Sequence, residues 1–160
     1  MTIKTLVVAT LAASITPALA QDSALRLTEA SAQAIIEGCR AFADENELTI
    51  AITIVDDRTQ LFAYRRMDTL RQGPAELAGE KADYAARWGA STEGLAEAVS
   101  EGRLGWALSS KGTPIGGGVP IYSRNGVLLG GIGVSGATAE EDAACARAGI
   151  ESAGLRDSRR

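Results

Sequence analysis

Residues 119–136 read VPIYSRNGVLLGGIGVSG, and this stretch decides the fold. Asn125-Gly126 stands between two runs rich in apolar and β-branched residues, the strongest short hairpin signal a sequence carries. Val119–Arg124 and Val127–Ser135 therefore read as antiparallel strands. The end of the stretch, Gly131 to Gly136, also matches G-x-G-x-x-G between a strand and a helix. A dinucleotide fingerprint needs a second parallel strand and an acidic residue about 20 positions on. Only 24 residues follow Gly136, and a helix takes most of them. These glycines read better as places where another backbone, or a flat ligand, comes close to the strand.

Working outward, Thr138-Ala139-Glu140-Glu141 has the capping-box pattern. It opens a helix to Gly149 or beyond, with Ala144, Cys145 and Ala148 inside and a polar, frayed tail after Gly154. Toward the amino terminus, residues 102–118 carry six glycines and read as an irregular loop of functional character. Thr92 caps a short helix to about Ser100. Gly73-Pro74 opens a longer one, in which Leu77, Ala78, Lys81, Ala82, Ala85 and Trp88 share a face. Lys81 is thus a charge within an apolar stripe. Leu48–Val55 alternates Ile50, Ile52 and Ile54 with Thr49, Ala51, Thr53 and Val55, the mark of a strand. Asp56–Thr59 turns it into a partner, Gln60–Arg65. A first helix follows a Thr28 cap, with Ala32, Ile35, Ile36, Cys39 and Ala43 recurring at helical spacing. Antiparallel strand pairs with helices set between them make an α+β fold.

Residues 1–20 read as a secretory signal peptide: Lys4, an uncharged run from Leu6 to Ile15, Pro17, then Ala18-Leu19-Ala20 before the cut at Ala20-Gln21. The run is too short for a membrane span, which needs about 20 residues. The expectation is a periplasmic or secreted protein whose residues 21–160 form a single domain. Removing Lys4 leaves 15 basic against 20 acidic residues, a net charge of −5, and no basic run invites nucleic acid or an anionic membrane. The chain has no histidine. That excludes a Ser-His-Asp triad, a Cys-His dyad and imidazole-ligated zinc or haem within it. Cys39 and Cys145 are open to two readings: a disulfide, in keeping with export, or two buried thiols. Two cysteines alone do not make a metal site.

Several segments together resemble the GlcG/HbpS-like haem-degrading domain family, which includes domains like the PduO C-terminal one. They are Val55-Asp56-Asp57, Tyr64-Arg65-Arg66-Met67-Asp68, Glu80-Lys81-Ala82, Gly117–Ile121, Gly130–Gly136 and Asp142–Gly149, spread over about residues 28–152. The resemblance implies a profilin-like, five-stranded antiparallel sheet flanked by helices, assembly into homo-oligomers, and binding of haem or a related tetrapyrrole. Without histidine, an axial ligand for haem would come from Tyr64, Tyr84, Tyr122, Met67, a thiolate or an oxygen such as that of Thr113.

The candidate ligand-binding residues are Arg66 and Asp68 at the exit of the first hairpin, Lys81 and Tyr84 on the second helix, Thr113, Gly117, Gly118 and Pro120 in and after the glycine loop, and Gly133 and Ser135. Arg66 can grip a carboxylate in a bidentate fork or pair within the chain. Lys81 can serve as an anion partner or a base, or merely snorkel. The glycines offer backbone N–H groups to an anion. Two functions follow. One is an exported oligomer that captures haem or another flat acidic ligand and assists haem sensing or breakdown. The other is an enzyme, or an accessory subunit of one, acting on a small glycolate-type carboxylate with Lys81 as base and Arg66 as clamp. Catalytic residues are not legible.

Overall fold

The two hairpins are present and meet along their inner strands. In a computed structural model, which describes residues 26–160, β1 (Ala51–Asp56) and β2 (Leu61–Arg66) form one hairpin, and β3 (Gly118–Tyr122) and β4 (Leu128–Ser135) the other. The sheet order is β2-β1-β4-β3, with every neighbour antiparallel. Ala51 faces Ser135 at one end of the β1–β4 ladder and Asp56 faces Gly130 at the other. The turn of the second hairpin is built on Ser123, whose carbonyl accepts from the Gly126 N–H at 2.9 Å. Gly126 takes the left-handed conformation, φ +76°, which a glycine adopts without the steric cost of a Cβ. The signal-peptide reading lies outside the described residues.

The expected fifth strand is reduced to one bridge. Tyr122 and Arg156 exchange backbone hydrogen bonds of 2.8 and 2.9 Å at the outer edge of β3. The tail after Gly154 is therefore held rather than frayed, and Leu155 is buried. Its apolar side chain, closing the core beside Ile150, outweighs the polar character of its neighbours.

Both faces of the sheet are covered. On one face, α1 (Glu29–Glu45) and α5 (Ala139–Ser152) pack over Ile52, Ile54, Val119, Ile121, Ile132 and Val134. Thr28 caps α1 by accepting the Ser31 N–H, and the Thr138/Glu141 capping box starts α5. Cys39 on α1 and Cys145 on α5 are joined in a disulfide. The inner side of α5 is Asp142, Ala143, Cys145, Ala146, Gly149 and Ile150; Ala144 and Ala148, expected inside, are half-exposed.

On the other face lies α2 (Gln72–Trp88), against Ala51, Val55 and the glycines of β4. A Cβ on Gly133 would stand 1.9 Å from the Ala78 carbonyl oxygen, and one on Gly131 would stand 2.5 Å from that of Ala82. Gly131 and Gly133 thus admit the backbone of an alanine-rich helix, while Gly136 lies against the backbone of Thr49 and Ile50, which resolves the choice between a backbone and a flat ligand. After α2 come α3 (Thr92–Ser100) and α4 (Leu104–Ser110). Ser91, not Thr92, caps α3, its hydroxyl accepting the Gly94 N–H at 3.2 Å. Thr92 is instead buried, and its hydroxyl accepts the Gly118 N–H at 2.9 Å. Helix α4 falls inside the span expected to be irregular. Only Ser110 of its residues is buried, so no apolar inner stripe marked it as helical.

Candidate functional site

Lys81 is fully buried and does not face a cavity. Its ammonium donates to Asp142 Oδ2 at 2.8 Å and to the Val134 carbonyl oxygen at 2.9 Å. Asp142 Oδ1 in turn accepts the Ala137 N–H at 3.1 Å. Burial pushes the Asp142 carboxyl above the usual aspartate range. The opposing pull comes from the Lys81 hydrogen bond and charge, then from the backbone N–H groups of Ala137 and Gly136. The pair pins α2, the end of β4 and the start of α5 to one another. The role expected for Lys81, anion partner or base, gives way to this structural one, because two of its three donors are taken inside the protein and its side chain is fully buried.

The glycine segment closes over the same pair. A Cβ on Gly117, whose φ is +117°, would stand 2.8 Å from Lys81 Nζ, and one on Gly118 would stand 2.5 Å from the Lys81 carbonyl oxygen. Gly117, Gly118, Pro120, Gly133 and Ser135 are all buried. They pack backbone on backbone and leave no open cradle for an anion, so the expected ligand role for these five gives way to packing. Tyr84 is buried too, beneath Gly112 and beside Leu95. Thr113 is half-exposed and spends its hydroxyl on Glu80 Oε2 at 2.7 Å.

Arg66 and Asp68 are the two expected residues that the structure brings together at an accessible place. They line a shallow groove of about 200 Å³ with Arg40, Asp44, Arg65 and Met67, at the exit of β2 and the flank of α1. Arg40 Nε lies 3.5 Å from Asp44 Oδ2. Arg65 and Arg66 are exposed and have no ion-pair or hydrogen-bond partner among the described residues. Three arginines against two aspartates leave this rim positive on an acidic protein.

β2 is an edge strand whose outer residues are aromatic. Phe62 and Tyr64 are 41% and 47% exposed, and Leu61 is more so. Tyr64 opposes Thr53 and Arg66 opposes Ala51, so both point to the sheet face that carries α2, beyond the reach of that helix. Sequence reading singled out Tyr64 and Arg66 but missed Phe62, the extra residue where the β1–β2 register shifts between Ile54 and Val55. A second apolar surface, also missed, joins Trp88 to Trp106 on α4, with ring centroids 5.0 Å apart. Leu104 and Leu108 are exposed near it. Asp142 was missed as Lys81's partner. An acidic residue on the inner side of a capped helix was the available signal.

The remaining donors named for an iron ligand are occupied. Tyr122 donates its hydroxyl to the Gly89 carbonyl oxygen at 3.0 Å. Met67 Sδ accepts the Ile50 N–H at 3.5 Å and packs on the core. Both cysteines are spent in the disulfide. Among the described residues no cluster of three or more His, Cys, Asp and Glu could hold a metal ion. No helix among them is long and apolar enough to cross a membrane.

A family model described as "Haem degrading protein HbpS-like" matches residues 27–151, nearly all of this two-faced sheet. The chain belongs to the HbpS-like family. Protein GlcG of Escherichia coli K12 is 35% identical to it over 109 residues, covering 68% of this chain and 81% of GlcG. A structure of PduOC in complex with haem superposes with a TM-score of 0.75 at 26% identity, covering 83% of this chain and 99% of that one. HbpS itself superposes with a TM-score of 0.71 at 25% identity, over 90% and 97% of the two chains. HbpS-like membership confirms the α+β reading made from the two hairpins.

Proposed function

We propose that this protein is an exported, homo-oligomeric binding protein for haem or a related flat tetrapyrrole. The observation that carries the proposal is the likeness to PduOC, a domain of the same fold solved with haem bound, over 99% of its length. Export rests on the signal-type segment at residues 1–20. The Cys39–Cys145 disulfide accords with it, since such bonds persist in oxidising compartments. Homo-oligomerisation and a part in haem sensing or breakdown rest on family resemblance.

The donor set fits haem through oxygen rather than imidazole. Bound haem supplies an iron centre that accepts an axial oxygen and two propionates that seek cationic partners. This chain offers an exposed phenol, flat apolar side chains and unpaired arginines on one edge strand. The small-carboxylate enzyme reading loses the base it named, because Lys81 is committed to Asp142.

The test is a titration of the purified mature chain with hemin, followed by absorption and thermal melting. A saturable Soret change and a rise in melting temperature are expected, because a ligand that binds only the folded state stabilises it. Unchanged spectra and unchanged melting would overturn the proposal.

A further inference from the structure

We infer that the cavity between the end of α2, the β3–β4 turn and the carboxy-terminal tail binds a small aromatic carboxylate, its ring against Trp88 and its anionic group on Arg159. This site goes beyond the haem reading and does not depend on it. The cavity measures about 460 Å³ and is lined by Trp88, Tyr122, Val127 and Leu128 together with two arginines, Arg87 and Arg159. Sites for small molecules have volumes of about 300–1,000 Å³, mostly apolar walls and a few placed polar groups.

The polar atoms left uncommitted around the cavity define its occupant. The Trp88 indole N–H donates to the Ser110 carbonyl oxygen at 3.2 Å, and the Tyr122 hydroxyl donates to that of Gly89 at 3.0 Å. Both aromatic side chains thus spend their donors within the protein. Trp106 packs on Trp88 with ring centroids 5.0 Å apart and an interplanar angle of 62°, which holds the indole in place. Trp88 nevertheless stays 42% exposed, and Val127 is exposed beside it. Of the two cations, Arg87 is neutralised by Asp83, to which its Nε and Nη2 both donate. The Arg159 side chain has no ion pair or hydrogen bond among the described residues. Asp157, two residues before it, is paired with Arg147 instead. An indole-walled cavity with one uncommitted guanidinium matches a flat apolar ring that carries one carboxylate. The ring loses water against the indole, and the carboxylate meets a planar fork of donors.

The tail is built into this site. Tyr122 and Arg156 exchange backbone hydrogen bonds and Leu155 is buried, so the residues that follow are led back over the hairpin turn. There Arg159 lies on Gly126: a Cβ on that glycine would stand 2.7 Å from the Arg159 carbonyl oxygen and 3.6 Å from its Cγ.

The experiment titrates the mature, disulfide-bonded chain, without hemin, with naphthoate and with its neutral amide, naphthamide. Calorimetry reads the affinity. The chain has two tryptophans, Trp88 and Trp106, so the two indole N–H signals of labelled protein report on this surface. The expected result is saturable binding of one naphthoate per chain with a shift of the Trp88 signal. Arg159→Ala should weaken naphthoate about tenfold and leave naphthamide unchanged. Val127→Asp, which puts a like charge in the wall, should abolish naphthoate binding. Both substitutions are at exposed positions, and unchanged circular dichroism and melting will show that the variants fold. No saturable naphthoate binding by wild type would overturn the inference. Binding that shifts neither indole signal, or that Arg159→Ala leaves unchanged, would overturn it equally. Because hemin is absent, failure here leaves the haem reading untouched, and failure of the hemin titration leaves this site untouched.

Discussion

Replacing Lys81 by methionine should unfold this protein far more readily than its chemistry as a surface cation would suggest. The substitution keeps an apolar stem of similar length but removes the ammonium. Asp142 is then left as a buried carboxylate, only 2% exposed, and the Val134 carbonyl loses its donor. Removing one member of a buried pair typically costs about 3–5 kcal/mol, most of it the penalty of stranding the other charge. For a domain of this size that corresponds to roughly 10–15 °C in Tm. Asp142→Leu combined with Lys81→Met should recover much of the loss, because an apolar replacement for both partners strands no charge. The Ala137 N–H still loses its acceptor, at about 1–3 kcal/mol. Asp142 also sets a pH signature. Its native pKa is raised by burial, so its contribution to stability falls as pH rises from the unfolded value through the native one. In Lys81→Met the carboxylate has lost its cation, so the deficit against wild type should shrink as pH is lowered and Asp142 takes up a proton. Urea titrations of wild type, both single variants and the double variant at several pH values give the cycle. A Lys81→Met variant within 1 kcal/mol of wild type at neutral pH, or a deficit that does not depend on pH, would refute the reasoning.

Other parts of the account are open to equally direct measurement. Reduction of the Cys39–Cys145 bond, which spans 106 residues of sequence, should cost about 4.7 kcal/mol on the chain-entropy estimate for a loop near 100 residues, read from denaturant midpoints with and without reductant. Gly133→Ala drives a methyl into the Ala78 carbonyl and should destabilise by more than the usual 1–3 kcal/mol of overpacking, about the cost of moving a whole helix. Gly79→Ala, in the same helix α2 but with nothing within 4 Å of the added methyl, should stabilise by about 0.8–1 kcal/mol; thermal melts of the two variants should shift in opposite directions. Thr138→Ala removes the cap of α5 and should cost about 1 kcal/mol. Its pH dependence is of opposite sign to that of Asp142. The backbone and side-chain hydrogen bonds of Thr138 hold Glu141 below its ordinary pKa, so this stabilisation is present above the unfolded value and fades as pH falls through the native one.

The fold was legible wherever local chemistry and tertiary packing agreed. The Asn125-Gly126 turn, the Thr28 cap and the Thr138 capping box mark boundaries that the structure keeps within a few residues. Leu48–Val55 showed its alternation clearly, although both of its faces turn out to be buried, one by α1 and α5 and the other by α2. Helix α4 was hidden because its apolar side chains point outward, so its pattern carried no core-facing period. The tail looked polar because one residue, Leu155, does the anchoring.

The site was legible in residue type but not in partnership. Lys81 stood out as a charge in an apolar stripe, and that observation was sound. What a single sequence could not supply is that Asp142, 61 residues away, meets it in the interior. The glycines of 131–136 likewise announced a close approach without saying what approaches. Only the packing of Ala78 and Ala82 against them shows a helix in the place a ligand would take. Arg66 and Tyr64, by contrast, sit exposed on an edge strand where few tertiary contacts compete, so their side chains stay accessible as their residue types suggest.

The central claim, capture of haem by the mature chain, is tested most directly by size-exclusion chromatography of the protein after incubation with hemin, with haem and protein quantified in the same peak. Haem should co-elute at a fixed ratio per protomer that does not rise with further hemin. Haem that separates entirely from the protein peak, or that accumulates without saturation, would contradict it.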